Sequence, residues 1–159
     1  MATLIQTESF LTNKDQPDLP AIIISSSEDD TFALGKKIAA LLEKGSVVAL
    51  KGPLGAGKTC FTKGIARGLG IEEEITSPTY TIISEYESAV PFYHIDAYRL
   101  RGDDDFYAIG GDEIVYGGGI SVIEWSERIP RFIPAGALLI DFEIIGDNKR
   151  RIQICRGNK

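Results

Sequence analysis

Residues Gly52 to Thr59 read Gly-Pro-Leu-Gly-Ala-Gly-Lys-Thr and follow directly on the apolar run Val47-Val48-Ala49-Leu50. That order commits the chain to a strand, a tight loop and a helix. A phosphate-binding loop needs a strand to deliver it, glycines that let backbone N–H groups close around phosphate oxygens, and a helix whose first amides face the anion. Gly52 allows the tight exit from the strand, while Gly55 and Gly57 let the backbone approach a ligand without a Cβ in the way. Lys58 then reaches the β- and γ-phosphates, and the Thr59 hydroxyl is placed to ligate Mg²⁺. The candidate nucleotide-binding set is therefore Gly55, Ala56, Gly57, Lys58, Thr59 and Cys60. Pro53 removes one N–H from the cradle, which the loop tolerates because it needs amides mainly from Gly55 onward.

The chain has 159 residues, 43% of them hydrophobic, enough for one domain with a buried sheet and too few for two. Its formal net charge of −6 gives no broad electrostatic footprint for nucleic acid or for an anionic membrane. Apolar runs are of strand length and nothing resembles a signal peptide, so the expected location is the cytosol. Cys60 and Cys155 stand far apart, without the spacing of a Cys-rich zinc site, which fits a reducing compartment. Cys60 reads as a small packing residue whose amide helps to hold phosphates.

Residues 1–20 lack sustained periodicity and carry Asn13, Asp15, Pro17, Asp18 and Pro20, the pattern of a loosely ordered extension. The P-loop domain is expected over 21–159. Ser26 or Ser27, with acids at Asp29 and Asp30, signals a helix start, and the helix is expected to stop at Gly45. The strand at 46–51 leads into the loop, and a helix from Lys58 to about Leu69 buries Phe61, Ile65 and Leu69. Tyr80 to Tyr86 and Pro91 to Ile95 predict a hairpin; Asp103 to Asp105 cap a short helix, and a second helical stretch runs through Ile114 and Val115. Ile120 to Ile123 predicts a buried strand, and Ala137 to Ile145 with Arg150 to Cys155 a terminal hairpin. The expected class is α/β, a single P-loop NTPase-like domain with a mixed, mainly parallel central sheet and antiparallel edge strands.

Ligands in open α/β sheets sit outside the carboxyl ends of strands, and Asp96 and Glu124 each follow an apolar strand immediately. A P-loop NTPase needs one such acid to hold Mg²⁺ and benefits from another that orients the attacking water. These two are the candidate catalytic residues. His94, the only histidine, falls on the same strand face as Asp96, where it either orients that carboxylate or acts directly; the first is favoured, because phosphoryl transfer depends on positioning and charge stabilisation. Arg99 either contacts phosphate or pairs with an acid such as Asp103. Trp125 is either core or an anchor for a partner, with partial burial and placement of Glu124 the favoured reading.

Four segments together, Gly52 to Thr59, Ser77-Pro78-Thr79-Tyr80-Thr81, His94-Ile95-Asp96-Ala97-Tyr98-Arg99-Leu100 and Ile123-Glu124-Trp125, resemble the TsaE family of small bacterial ATPases in order and separation. The likeness spans about Ser26 to Trp125. It implies an ATPase that supports threonylcarbamoyl modification of transfer-RNA adenosine with a TsaB–TsaD pair, binding the RNA only through those partners. It also implies that Thr59 and Glu124 are associated with Mg²⁺, that Asp96 is required for hydrolysis, and that Thr79 and Tyr80 lie in a switch-like segment near the γ-phosphate. Thr31-Phe32-Ala33-Leu34-Gly35 matches a family pattern that implies Thr31 near the nucleotide. Pro53 departs from the family, which has an acidic residue there, and bears on loop affinity or exchange rate. The chain lacks the Asn-Lys-x-Asp string of guanine readers, which favours ATP. The alternatives are a small-molecule kinase, disfavoured by a segment at 101–119 that offers only Arg101 for an arginine lid, and a nucleotide-gated interaction module.

Overall fold

The computed structural model describes residues 3–6, 19–76 and 81–157. In chain order these form β1 (Thr3–Gln6), β2 (Ala21–Ser25), α1 (Glu28–Ala39), β3 (Val47–Lys51), α2 (Lys58–Gly68), β4 (Ile83–Tyr86), β5 (Phe92–Asp96), α3 (Asp103–Ala108), α4 (Gly111–Val115), β6 (Ile120–Glu124), β7 (Leu138–Ile144) and β8 (Arg150–Arg156). Two 3₁₀ turns, Ser126–Arg128 and Pro130–Phe132, follow β6.

Four successive buried residues, Val47 to Leu50, oblige β3 to be covered on both faces, and it lies inside one eight-stranded sheet of order β1-β2-β8-β7-β3-β6-β5-β4. β3 runs parallel to β6 and to β7, and β6 parallel to β5, so the centre is parallel as its apolar runs predict. The antiparallel members are β4 at one edge and β8, which is enclosed between β7 and β2. Period two splits the core into layers. Val48 and Leu50 pack with Leu34, Ile38, Phe61 and Ile65 beneath α1 and α2, while Val47 packs with Ile95, Phe106, Val115 and Ile123 on the opposite face.

α1 starts where its capping residues direct: Ser27 Oγ accepts from Asp30 N at 3.0 Å, and Asp30 Oδ2 accepts in return from Ser26 N at 2.9 Å. It ends at Ala39, well before the expected stop at Gly45. The amides of Ala40, Leu41 and Leu42 turn to carbonyls three residues back, which tightens the final turn and leads the chain out of the helix. α1 and α2 cross at two glycines. A Cβ on Gly35 would overlap the Phe61 carbonyl oxygen, and one on Gly64 would overlap that of Phe32, so neither position has room for a side chain. This backbone-to-backbone contact fixes α2, and with it the loop that α2 follows.

The N-terminal segment holds an element for which the sequence has no signal. Thr3–Gln6 pairs in parallel with Ala21–Ile24 as an edge strand, too short to show an alternating pattern of its own. Ser77 to Tyr80, which include the expected switch residues Thr79 and Tyr80, lie outside the described residues. No helix among the described residues is long and apolar enough to cross a membrane.

Candidate functional site

The loop between β3 and α2 opens on a cleft of about 490 Å³ at the carboxyl ends of the parallel strands. Gly55, Ala56, Gly57, Lys58, Thr59 and Cys60 line it on one side, and Asp96, Glu124 and Trp125 on the other. All the proposed site residues except Thr31 therefore border one space. Gly57 caps α2 in the left-handed region, at φ 103°, where a side chain would be strained. The first turn of α2 contains no acidic residue, so its free amides and dipole are left unopposed for an anion.

β5 and β6 carry the two acids to the same level, since Asp96 and Glu124 are register partners. They differ in surroundings. Asp96 is half-buried and accepts from Tyr98 N at 3.0 Å, whereas Glu124 is only 3% exposed. Thr59 Oγ1 donates to Glu124 Oε1 at 2.9 Å, joining the loop helix to the strand end. The other carboxylate oxygen of Glu124 meets His94 Nε2. The histidine thus serves Glu124 rather than Asp96, because a residue two positions earlier on β5 reaches diagonally across to its neighbour strand.

Lys58 Nζ donates to Gly52 O at 2.6 Å and Pro53 O at 2.9 Å, and lies 4.1 Å from the centre of the Trp125 ring. Burial lowers its pKa, with the Glu124 charge the leading opposing influence. Trp125 has φ 58°, the one positive value outside glycine among the described residues. That conformation directs the half-buried indole beside Tyr98, with ring centres 5.0 Å apart, and under the lysine. Ser126 Oγ anchors the turn by donating to Leu50 O at 3.1 Å. The Cys60 thiol donates to Glu28 O, and burial followed by the Glu28 charge raises its pKa, which disfavours the thiolate.

A second cleft, about 190 Å³, adjoins the loop between Ser27, Glu28, Thr31, Gly55, Asp147 and Arg150. Thr31 belongs to this wall; its hydroxyl is taken by Ser25 Oγ at 2.7 Å, and its methyl carbon would lie 3.4 Å from a Cβ on Gly57. Arg150, from the β7–β8 hairpin, donates to Gly55 O at 3.1 Å. Sequence reasoning missed Arg150, Ser126 and the His94 link to Glu124. Only His94 carried a local sign, its strand face; the partners of the other two are remote in sequence.

The family model described as "Threonylcarbamoyl adenosine biosynthesis protein TsaE" matches residues 25–152. The chain belongs to the TsaE family. A "tRNA threonylcarbamoyladenosine biosynthesis protein TsaE" of Treponema pallidum is 48% identical over 131 residues, covering 82% of this chain and 97% of that protein. The protein of the same description from Bacillus subtilis is 44% identical over 125 residues, 78% of each chain. A crystal structure of Bacillus subtilis YdiB superposes with a TM-score of 0.70 at 36% identity, covering 90% of both chains. The matched span runs from β2 into β8, so it takes in the second cleft and Arg150 as well as the phosphate loop. Membership in TsaE places the chain in threonylcarbamoyladenosine biosynthesis for transfer RNA.

Proposed function

We propose that this TsaE chain is a Mg²⁺-dependent ATPase, active in the cytoplasm, that assembles or resets a TsaB–TsaD complex and meets transfer RNA only through those partners. The observation that carries the reading is the Thr59–Glu124 contact at the mouth of the phosphate loop, with Asp96 alongside. The residues present fit a magnesium ion better than a protein-built metal cage. No group of three or more His, Cys, Asp or Glu side chains among the described residues forms such a cage. Mg²⁺ is commonly held by one or two carboxylates together with substrate phosphates and water, and here a hydroxyl and a carboxylate meet beside an anion cradle.

In this reading the amides of Gly55 to Cys60 receive phosphate oxygens, and Lys58 leaves the Gly52 and Pro53 carbonyls to neutralise them. Thr59 and Glu124 would hold the cation, which would supply charge stabilisation for the transferred phosphoryl group. Asp96, nearer the open cleft, orients the attacking water. The second cleft receives the nucleoside end, between the start of α1 and the β7–β8 hairpin. Arg101, the sole arginine of 101–119, pairs with Asp105 at 3.2 Å, which disfavours the kinase alternative and its arginine lid.

The deciding measurement is Mg²⁺-dependent ATP hydrolysis with and without a TsaB–TsaD pair, beside Glu124→Gln. Stimulation by the pair, reduced about 10²- to 10³-fold in the variant, is expected. Absence of stimulation, with phosphate appearing on a small acceptor, would transfer the assignment to a kinase.

A further inference from the structure

Glu124 is a buried acceptor whose two oxygens have separate donors, and one of those donors has no contact with the cleft. His94 is 0% exposed and is absent from the residues that line either cleft beside the loop. Its Nε2 faces Glu124, while its Nδ1, equally buried, has no partner among the described residues. A carboxylate accepts and cannot donate, so the ring proton belongs on Nε2.

We propose that His94 is a positioning residue, whose Nε2–H holds one oxygen of Glu124 so that the other stays on Thr59. The chain Thr59 to Glu124 to His94 thus joins α2, β6 and β5 through one carboxylate. It parallels the outer-shell partners that orient metal-binding carboxylates and histidines elsewhere, whose loss costs about 10- to 100-fold in metal affinity or activity. The inference rests on the Mg²⁺-nucleotide reading above and adds a residue that acts without touching substrate.

Two measurements test it. In the full-length parent, ¹⁵N NMR of the single histidine reports which nitrogen carries a proton; a proton on Nε2 is expected, and a bare Nε2 overturns the proposal. Second, ADP binding is followed by the fluorescence of Trp125, the only tryptophan, in EDTA and across a Mg²⁺ titration. His94→Leu removes the donor, and His94→Gln restores an N–H near the position of Nε2. The Leu variant is expected to need about tenfold more Mg²⁺ at half-saturation, with its EDTA affinity within about twofold of the parent, and the Gln variant to recover most of the loss. An unchanged Mg²⁺ requirement in His94→Leu, or equal losses in both variants with EDTA affinity falling in step, overturns it. Should the Leu variant not fold, the NMR result and the Gln titration decide. If ADP binding by the parent ignores Mg²⁺ altogether, the nucleotide-metal reading fails instead.

Discussion

The two faces of the sheet are built on different principles. On one, α1 and α2 run twelve and eleven residues and cross with their backbones in contact at Gly35 and Gly64. On the other, α3 and α4 have six and five residues, separated by glycines, and expose Tyr107, Ile109 and Tyr116. The phosphate loop, Lys58 and Thr59 belong to the first face, and Val122 on β6 packs there, so Glu124, two residues on, faces the same way. The proposed reaction would depend on geometry held to fractions of an ångström, and the residues proposed for it sit where the packing has no slack. The second face covers apolar surface and tolerates a looser construction.

Separating stability from nucleotide affinity would break or sharpen this contrast. The largest effect is expected on the second face. Phe106 is fully buried, packs edge-on to Phe132 at 5.2 Å between ring centres, and occupies the space that a side chain on Gly111 would need. Phe106→Ala should cost about 3–5 kcal/mol in chemical unfolding, while the folded protein binds ATP as the parent does. Gly64→Ala should cost less, about 1–3 kcal/mol, because one methyl group forces α2 away from Phe32. It should nevertheless weaken ATP binding, since α2 carries the cradle. Equal affinity losses in both variants would erase the distinction between the faces.

Most of the first face is legible in the sequence because its determinants are local. The strand-loop-helix string, the Ser27 cap and the spacing of Phe61 and Ile65 each specify structure within a few residues. The parallel centre follows from the four buried residues of β3, and the acids at the ends of β5 and β6 follow from the strand-end rule. What escaped was tertiary. Nothing near Gly35 announces that another helix's backbone will press on it, and β1 is too short for a periodic signal. The face of His94 was readable from strand period. Its partner was not, because choosing Glu124 over Asp96 requires the β5–β6 register.

Arg150 tests how far the loop depends on chain brought in from elsewhere. Besides Gly55 O, its guanidinium bonds the carbonyls of Gly146, Asp147 and Lys149, so it ties the β7–β8 turn to the phosphate loop. These contacts are exposed, and unfolding free energy should barely change in Arg150→Ala. ATP affinity should fall about fivefold, near 1 kcal/mol, as the wall of the second cleft loses its fastening. An unaltered affinity would confine the functional geometry to α2 and the strand ends.

The smallest effect is expected at Tyr107, 65% exposed on α3. The helix gains little from a ring that remains largely in water, and surface changes away from caps, cavities and buried networks fall within about 0.5 kcal/mol. Tyr107→Ser should leave both unfolding and ATP affinity at parental values. The same α3 holds Phe106, one residue away and turned inward, so the pair compares inward and outward positions within a single short helix. If Tyr107→Ser weakened ATP binding without altering stability, the second face would be coupled to the site through something other than packing. The contrast would then lie between buried and exposed residues, not between the two faces.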